Sequence, residues 1–164
     1  MISIQSNTDQ NFTNIRTIAQ EVWPIAYGTI LSNEQLEYMM KMMYSVTSLQ
    51  NQYQNGHHFI LANDDGISVG FAAFEFNYSG ISKTKIHKIY VLTTQQGKGI
   101  GSILINYITQ LAQKNNQEAL LLNVNKYNVA QHFYKKLGFI ISSEEVIDIG
   151  NGFVMDDFVM EKPI

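Results

Sequence analysis

The chain contains no cysteine, which excludes disulfides, thiolate-ligated zinc and thiol nucleophiles. It contains only two prolines, Pro24 and Pro163, and neither opens a linker. Charged residues make up 15% of the chain, well below the typical level of about 25%. Asparagine and glutamine fill the gap and keep the surface polar. The 11 basic and 14 acidic residues leave a net charge of −3, and no basic run is long enough to mark a nucleic-acid partner. No apolar run approaches the ~18 residues of a membrane-spanning helix. The opening MISIQSNTDQNF has no basic segment followed by an apolar one, so no secretory signal is expected. What remains is a chain of 164 residues, 45% of them apolar. That suits one globular domain, burying about 70% of the surface its unfolded form exposes. A soluble cytoplasmic protein with no membrane or nucleic-acid partner is the expectation.

The first sixty residues read as helical. Phe12, Ile15, Ile18, Ala19 and Val22 recur at helical spacing, and Pro24 should stop or bend that helix. Ser32 and Gln35 make a capping box ahead of Leu36, Met39, Met40 and Met43, and Gly56 is a helix stop. The pattern then becomes extended. His58–Asn63 and Ile67–Phe76, joined through Asp64-Asp65-Gly66, read as a hairpin. Thr84–Thr93 reads as a strand with Lys85, His87, Ile89 and Val91 on one face. An amphipathic helix with Ile100, Leu104, Ile108 and Leu111 follows, then a short apolar strand over Ala119–Val124. Asn128 and Gln131 read as a second capping box, and Gly138 ends that helix. Two strands joined at Gly150-Asn151-Gly152 close the chain. Three helices followed by this mixture predict an α+β fold with a largely antiparallel sheet.

The segment Gln95-Gln96-Gly97-Lys98-Gly99-Ile100-Gly101-Ser102 lies between a strand and a helix. Glycines there leave backbone amides unshielded at a helix N-terminus, which suits a phosphate or pyrophosphate. A turn that needs glycine only for its dihedrals is the plainer alternative. The P-loop pattern fails, because Lys98 comes too early. Gly97, Gly99 and Ser102 nearly meet a dinucleotide fingerprint. However, Glu118 precedes the next strand instead of ending it, and too little chain remains for a doubly wound sheet.

Gln96-x-x-Gly99-x-Gly101 resembles the Q/R-x-x-G-x-G/A signature of the GNAT N-acetyltransferase superfamily. Asn125 and Asn128, Ala130 and Phe133-Tyr134-Lys135-Lys136-Leu137-Gly138-Phe139 resemble its second motif. The similarity covers residues 58–164; bacterial spermidine/spermine-type small-amine acetyltransferases look nearest. It implies one acetyltransferase domain over 1–164: acceptor-side helices over 1–57, an acetyl-CoA core over 58–139 and a strand pair over 140–164. The helix-flanked sheet should splay between two parallel central strands. Acetyl-CoA would lie there as co-substrate, without a metal. Amides of Gln96, Gly97, Lys98, Gly99, Ile100, Gly101 and Ser102 would hold its pyrophosphate. The Val91 and Leu92 backbone would pair with its pantetheine arm and supply an oxyanion donor. Asn125 and Asn128 would bond the pantetheine amides, and Lys136 the adenosine phosphate.

The resemblance also makes Tyr134 the acid for the leaving thiolate, with a packing aromatic as its alternative. His87 becomes the base for the amine, with a half-buried structural histidine as its alternative. His57, His58 and His132 read as structural or surface residues without metal spacing. The acceptor end would use Trp23, Tyr27 and Glu75, with Asp148, Asp156 and Asp157 as further acidic candidates. Asp156 and Asp157 sit adjacent in a strand, so only one can enter a given pocket. The implied reaction is direct acetyl transfer to a primary amine, a small amine or polyamine first. A protein N-terminus or lysine is an alternative acceptor, and a non-catalytic CoA-binding module an alternative function. A homodimer through the final strands is also implied.

Overall fold

A computed structural model describes residues 1–164. Seven strands form one sheet: β1 (Ile2–Ser6), β2 (His58–Asp64), β3 (Ile67–Glu75), β4 (Lys83–Val91), β5 (Ala119–Asn125), β6 (Ile140–Gly150) and β7 (Phe153–Pro163). Their spatial order is β1-β2-β3-β4-β5-β7-β6. Every pairing is antiparallel except β4 with β5. The helices are α1 (Thr13–Tyr27), α2 (Asn33–Tyr44), α3 (Val46–Gln54), α4 (Ile100–Lys114) and α5 (Ala130–Lys136). The core has two layers. Ile100, Leu104, Ile105 and Ile108 of α4 pack with Ile60, Ala72, Ile86 and Leu120 on one face. Ile15, Ile18, Trp23, Met39 and Leu49 of the first three helices pack with Phe59, Leu61 and Phe71 on the other.

The expected α+β class and strand order from residue 58 onward agree with this architecture. Four local expectations do not. The N-terminus is not helical throughout, because Ile2–Ser6 pairs with Ile60–Asp64 at the sheet edge. The strand is short, and only Ile2 and Ile4 alternate inward, too brief a pattern to register against the longer helical one. Of the two outcomes expected at Pro24, a stop or a bend, the stop does not occur: α1 runs on to Tyr27, with Gly28 N–H donating to the Pro24 carbonyl. Asn128 forms no capping box with Gln131. Its Oδ1 accepts from the Ala130 amide at 2.9 Å instead, a tight local turn.

The fourth difference bears on the site. The β3–β4 register pairs Ala73 with Lys88 but Phe74 with Ile86, so β4 carries one extra residue at His87. Such a bulge resets the side-chain alternation. Ile86, Ile89 and Val91 pack toward the α4 layer. Lys88 lies over the Tyr44 and Phe59 rings on the opposite face. His87 therefore does not share a face with Ile89 and Val91; it stacks on His57.

Candidate active site

β4 and β5 pair only from Lys83–Ala119 to Ile86–Leu122. Beyond that point the strands part, and a cleft of about 800 Å³ opens between them. Gly70 and Val91 face each other across β3 and β4, while the Leu92 amide donates to the Val69 carbonyl at 2.8 Å. This is the pattern of a non-hydrogen-bonded antiparallel pair, so the Val91 N–H and C=O point away from β3 and into the opening. Leu92, expected beside Val91 as a second backbone partner, has its amide committed to β3 instead.

The glycine turn builds the far wall. Gly97 and Gly99 sit at φ 83° and 78°, in left-handed conformations that glycine adopts without strain. The first helical bond of α4 runs from the Ile103 amide to the Gly99 carbonyl. The Ile100, Gly101 and Ser102 amides precede it and have no acceptor in the chain. Gly101 is small for a further reason: a Cβ there would lie 3.0 Å from Phe133 Cζ. That close approach docks α5 on the first turn of α4. Gln96 Nε2 donates to the Val91 carbonyl at 3.3 Å.

Tyr134 follows Phe133 on α5 and lines the cleft. Its ring packs edge-on to Phe133 and Phe139 at 5.3 and 5.8 Å. Burial pushes its phenol well above the ordinary value, so it stays protonated and can donate.

His87 also lines the cleft. Its Nε2 lies 2.9 Å from Glu75 Oε1. A carboxylate accepts only, so this bond assigns the proton to Nε2 and leaves Nδ1 with the free lone pair. Burial, then Lys88 and Lys85, lowers its pKa to about 3. The His57 ring stacks on His87 at 4.0 Å, with Nε2 3.5 Å from the same Glu75 oxygen. Burial, then His87, lowers the His57 pKa to about 4.

A side pocket of about 80 Å³ adjoins the cleft, and Tyr27, His87, Tyr90 and Asn123 line both spaces. The hydroxyls of Tyr27 and Tyr90 are 2.9 Å apart. Trp23, Met39, Met43 and Met155 supply apolar walls. Asp157 is the pocket's carboxylate; its residue is 1% exposed. Burial raises its pKa, against a 3.3 Å bond from Asn123 Nδ2 and the nearby Lys85. Lys85 in turn bonds Asn123 Oδ1. Asp156 points elsewhere, 3.0 Å from Lys126.

Val91, Gln96, Gly97, Gly99, Ile100, Gly101, Asn128, Tyr134, His87 and Tyr27 thus meet at one cleft. Leu92, Lys98, Ser102, Asn125 and Lys136 do not line it. Lys98 is tied to Gln95 Oε1 at 2.8 Å. Asn125 lines the side pocket, its Oδ1 accepting from the Tyr127 amide. Trp23 belongs to the core and touches only the side pocket. Glu75, expected to meet a substrate amine, is occupied by the two histidines. Sequence reasoning missed His57, Tyr90 and Asn123, and grouped Asp157 with its neighbours. Only strand alternation at Asp156-Asp157 carried a usable signal. The histidine pair is created by the bulge.

A coenzyme A pyrophosphate fits the unpaired amides of α4, and a pantetheine arm fits the unpaired edge at Val91. Solved structures share this fold. The PaiA N-acetyltransferase of Thermoplasma acidophilum, solved in complex with coenzyme A, superposes with a TM-score of 0.81. The two share 24% identity over 100% of this chain and 99% of that one. The ribosomal-protein-S18-alanine N-acetyltransferase of Escherichia coli superposes with a TM-score of 0.72 and 18% identity, covering 100% and 94%. In sequence, the L-amino acid N-acyltransferase MnaT of Escherichia coli is 25% identical over 92 residues, 54% of each chain. An uncharacterized N-acetyltransferase of Methanocaldococcus jannaschii is 38% identical over 86 residues, 49% of this chain and 38% of that one. The matches thus span about half or less of these two curated relatives. Residues 29–161, most of the chain, with β4, β5 and the glycine turn among them, match the Acetyltransferase (GNAT) domain, and the protein belongs to that family.

Proposed function

We propose that this protein transfers the acetyl group of acetyl-CoA directly to the primary amine of a small molecule. The observation that carries this reading is the meeting, in one cleft, of unpaired α4 amides, the Val91 amide, a protonated Tyr134 and a neutral His87. Bound acetyl-CoA supplies an activated thioester carbonyl. The chain supplies the rest. The Ile100 and Gly101 amides, which line the cleft, hold the phosphates, and the helix dipole favours their charge. The Val91 edge aligns the arm, and its N–H is the donor to a developing oxyanion. Nδ1 of His87 receives the proton only as the attacking nitrogen turns cationic in the tetrahedral adduct, directly or through one water, because the burial that keeps the ring neutral also makes it a weak base; Glu75 holds the ring by Nε2. Tyr134 returns a proton to the thiolate.

The acceptor enters through the side pocket. Its apolar walls suit a short alkyl chain, and Asp157 suits a second cationic group on that chain. A polyamine or small diamine meets both conditions. An amino acid would bring its own carboxylate against Asp157, which disfavours that class.

Thiol release measured over a panel of diamines, polyamines, amino acids and short peptides tests the proposal. Release with diamines or polyamines supports it; release confined to amino acids or peptides removes the acceptor assignment. Tyr134→Phe and His87→Ala should each lower kcat by roughly 10- to 1000-fold, with the Kd for acetyl-CoA almost unchanged. Wild-type turnover in both variants would overturn the assigned roles.

A further inference from the structure

The neck between the side pocket and the cleft carries hydrogen-bonding capacity that a single base does not use. Tyr27, His87, Tyr90 and Asn123 line both spaces, so an acceptor that reaches the cleft from the side pocket passes between them. Asn123 is already engaged: its Oδ1 accepts from Lys85, and its Nδ2 donates to Glu145 and Asp157. His87 holds Glu75 by Nε2 and has only Nδ1 free. Tyr27 ends α1, Tyr90 lies on β4, and their hydroxyls are 2.9 Å apart. One of the two donates to the other. The donor's oxygen is then free to accept, and the other hydroxyl keeps a free O–H. Rotating both hydroxyls exchanges the roles. Burial raises both phenols above their ordinary pKa, so both keep their protons at neutral pH. The rings are held in place: Trp23 packs on Tyr27 at 4.7 Å and on Tyr90 at 5.8 Å, and Phe71 on Tyr90 at 5.7 Å.

We infer that the hydroxyl pair of Tyr27 and Tyr90 selects primary amines, accepting one N–H of the attacking nitrogen while His87 Nδ1 accepts the other. The inference deepens the proposed acetyl transfer and rests on it. A neutral primary amine has two N–H bonds and one lone pair. The neck offers two free acceptors, one phenol oxygen and one imidazole nitrogen. With both N–H bonds held, the tetrahedral nitrogen has its lone pair left to turn toward the thioester. A more substituted amine at the same point lacks an N–H. It leaves one acceptor empty, and it puts an alkyl group where a hydrogen belongs. A site built to hydrogen-bond a group discriminates strongly against the analogue without it, because the unpaired partner has lost its water. The pair is uncharged and works by position. Asp157 remains the partner of the remote cationic group.

Trp23 is the only tryptophan of the chain, and it lines the side pocket against both tyrosine rings. The test titrates the full chain, without acetyl-CoA, with putrescine and with its N,N,N′,N′-tetramethyl derivative, followed by Trp23 fluorescence. Both probes are dications at neutral pH, but each end of the derivative has a single N–H. Saturable binding of putrescine is expected, tighter than that of the derivative. Tyr27→Phe and Tyr90→Phe keep the rings and remove one hydroxyl each. A hydroxyl left alone is no longer held with its oxygen toward the neck. Each variant should weaken putrescine binding by roughly 2- to 10-fold and leave the derivative nearly unchanged. The double variant should lose little more than either single one, because the two hydroxyls act as a unit. Should one variant fail to melt cooperatively, the other carries the comparison. No saturable signal, unchanged putrescine affinity in both variants, or an equal loss for both probes overturns the inference. Thiol release with putrescine and acetyl-CoA is read separately. Its absence bears on the proposed function and leaves the binding result standing.

Discussion

Asp157 and Asp156 are adjacent and chemically identical, yet the pleat gives them opposite surroundings. Asp157 is enclosed beside Asn123, whereas Asp156 pairs with Lys126. Burial raises the Asp157 pKa above its ordinary 3.8. A raised acid binds its proton more tightly when folded. Its contribution to stability is therefore present below about pH 4 and lost as pH rises through the raised value. Asp157→Asn should match the wild-type melting temperature in acid and exceed it at neutral pH. The same variant should raise KM for a cationic amine. Thermal melts at several pH values check the first outcome and steady-state kinetics the second. Equal melting at every pH would show that the carboxyl carries no burial penalty. Under the proposed acceptor assignment the residue trades stability for recognition, as is expected where a charge is kept out of water for a ligand.

Two elements make the site, and each does so by departing from regularity. The β4 bulge turns His87 onto the His57 side while Ile89 and Val91 stay with the α4 layer. The turn before α4 holds Gly99 in a left-handed conformation, where an added Cβ would meet nothing within 4 Å. Gly99→Asp therefore costs the fold only about 1 kcal/mol of backbone strain. It also places a carboxylate at the proposed phosphate site. Calorimetry should show acetyl-CoA affinity falling at least about tenfold, equivalent to about 1.4 kcal/mol, in a protein that still melts cooperatively. Unchanged affinity would remove the phosphate assignment. The glycine spacing was readable from sequence because the chemistry is local. The bulge was not, because Lys85-Ile86-His87-Lys88 reads as an ordinary alternation until β3 sets the register.

For the molecule as a whole, the cleft exists because a sheet is opened at its centre. β4 and β5 pair over four residue positions and then separate, and the two core layers lie on either side of the sheet. A ligand that bridges the gap restores edge bonding that the sheet lacks. Acetyl-CoA at about 100 times its Kd should add about 2.7 kcal/mol of stability. For a chain of 164 residues that is a rise in melting temperature of roughly 5–10 °C. Differential scanning fluorimetry reads this directly. The shift should vanish in Gly99→Asp and persist in Tyr134→Phe, which separates binding from chemistry.

The sequence by itself determined the α+β class, the helices and strands from residue 58 onward, the glycine turn before α4 and the helix that carries Tyr134. Each of these depends on hydrophobic period, turn chemistry or spacing within a short stretch. Tertiary structure alone decided that Ile2–Ser6 is an edge strand and that Val91, not Leu92, presents its backbone to the cleft. It also decided that Asp157 is the acid of the side pocket and that His57, Glu75 and His87 converge. Those outcomes depend on which strand pairs with which, and in what register. Pairing partners are distant in the chain, and a one-residue shift reverses the face a side chain takes.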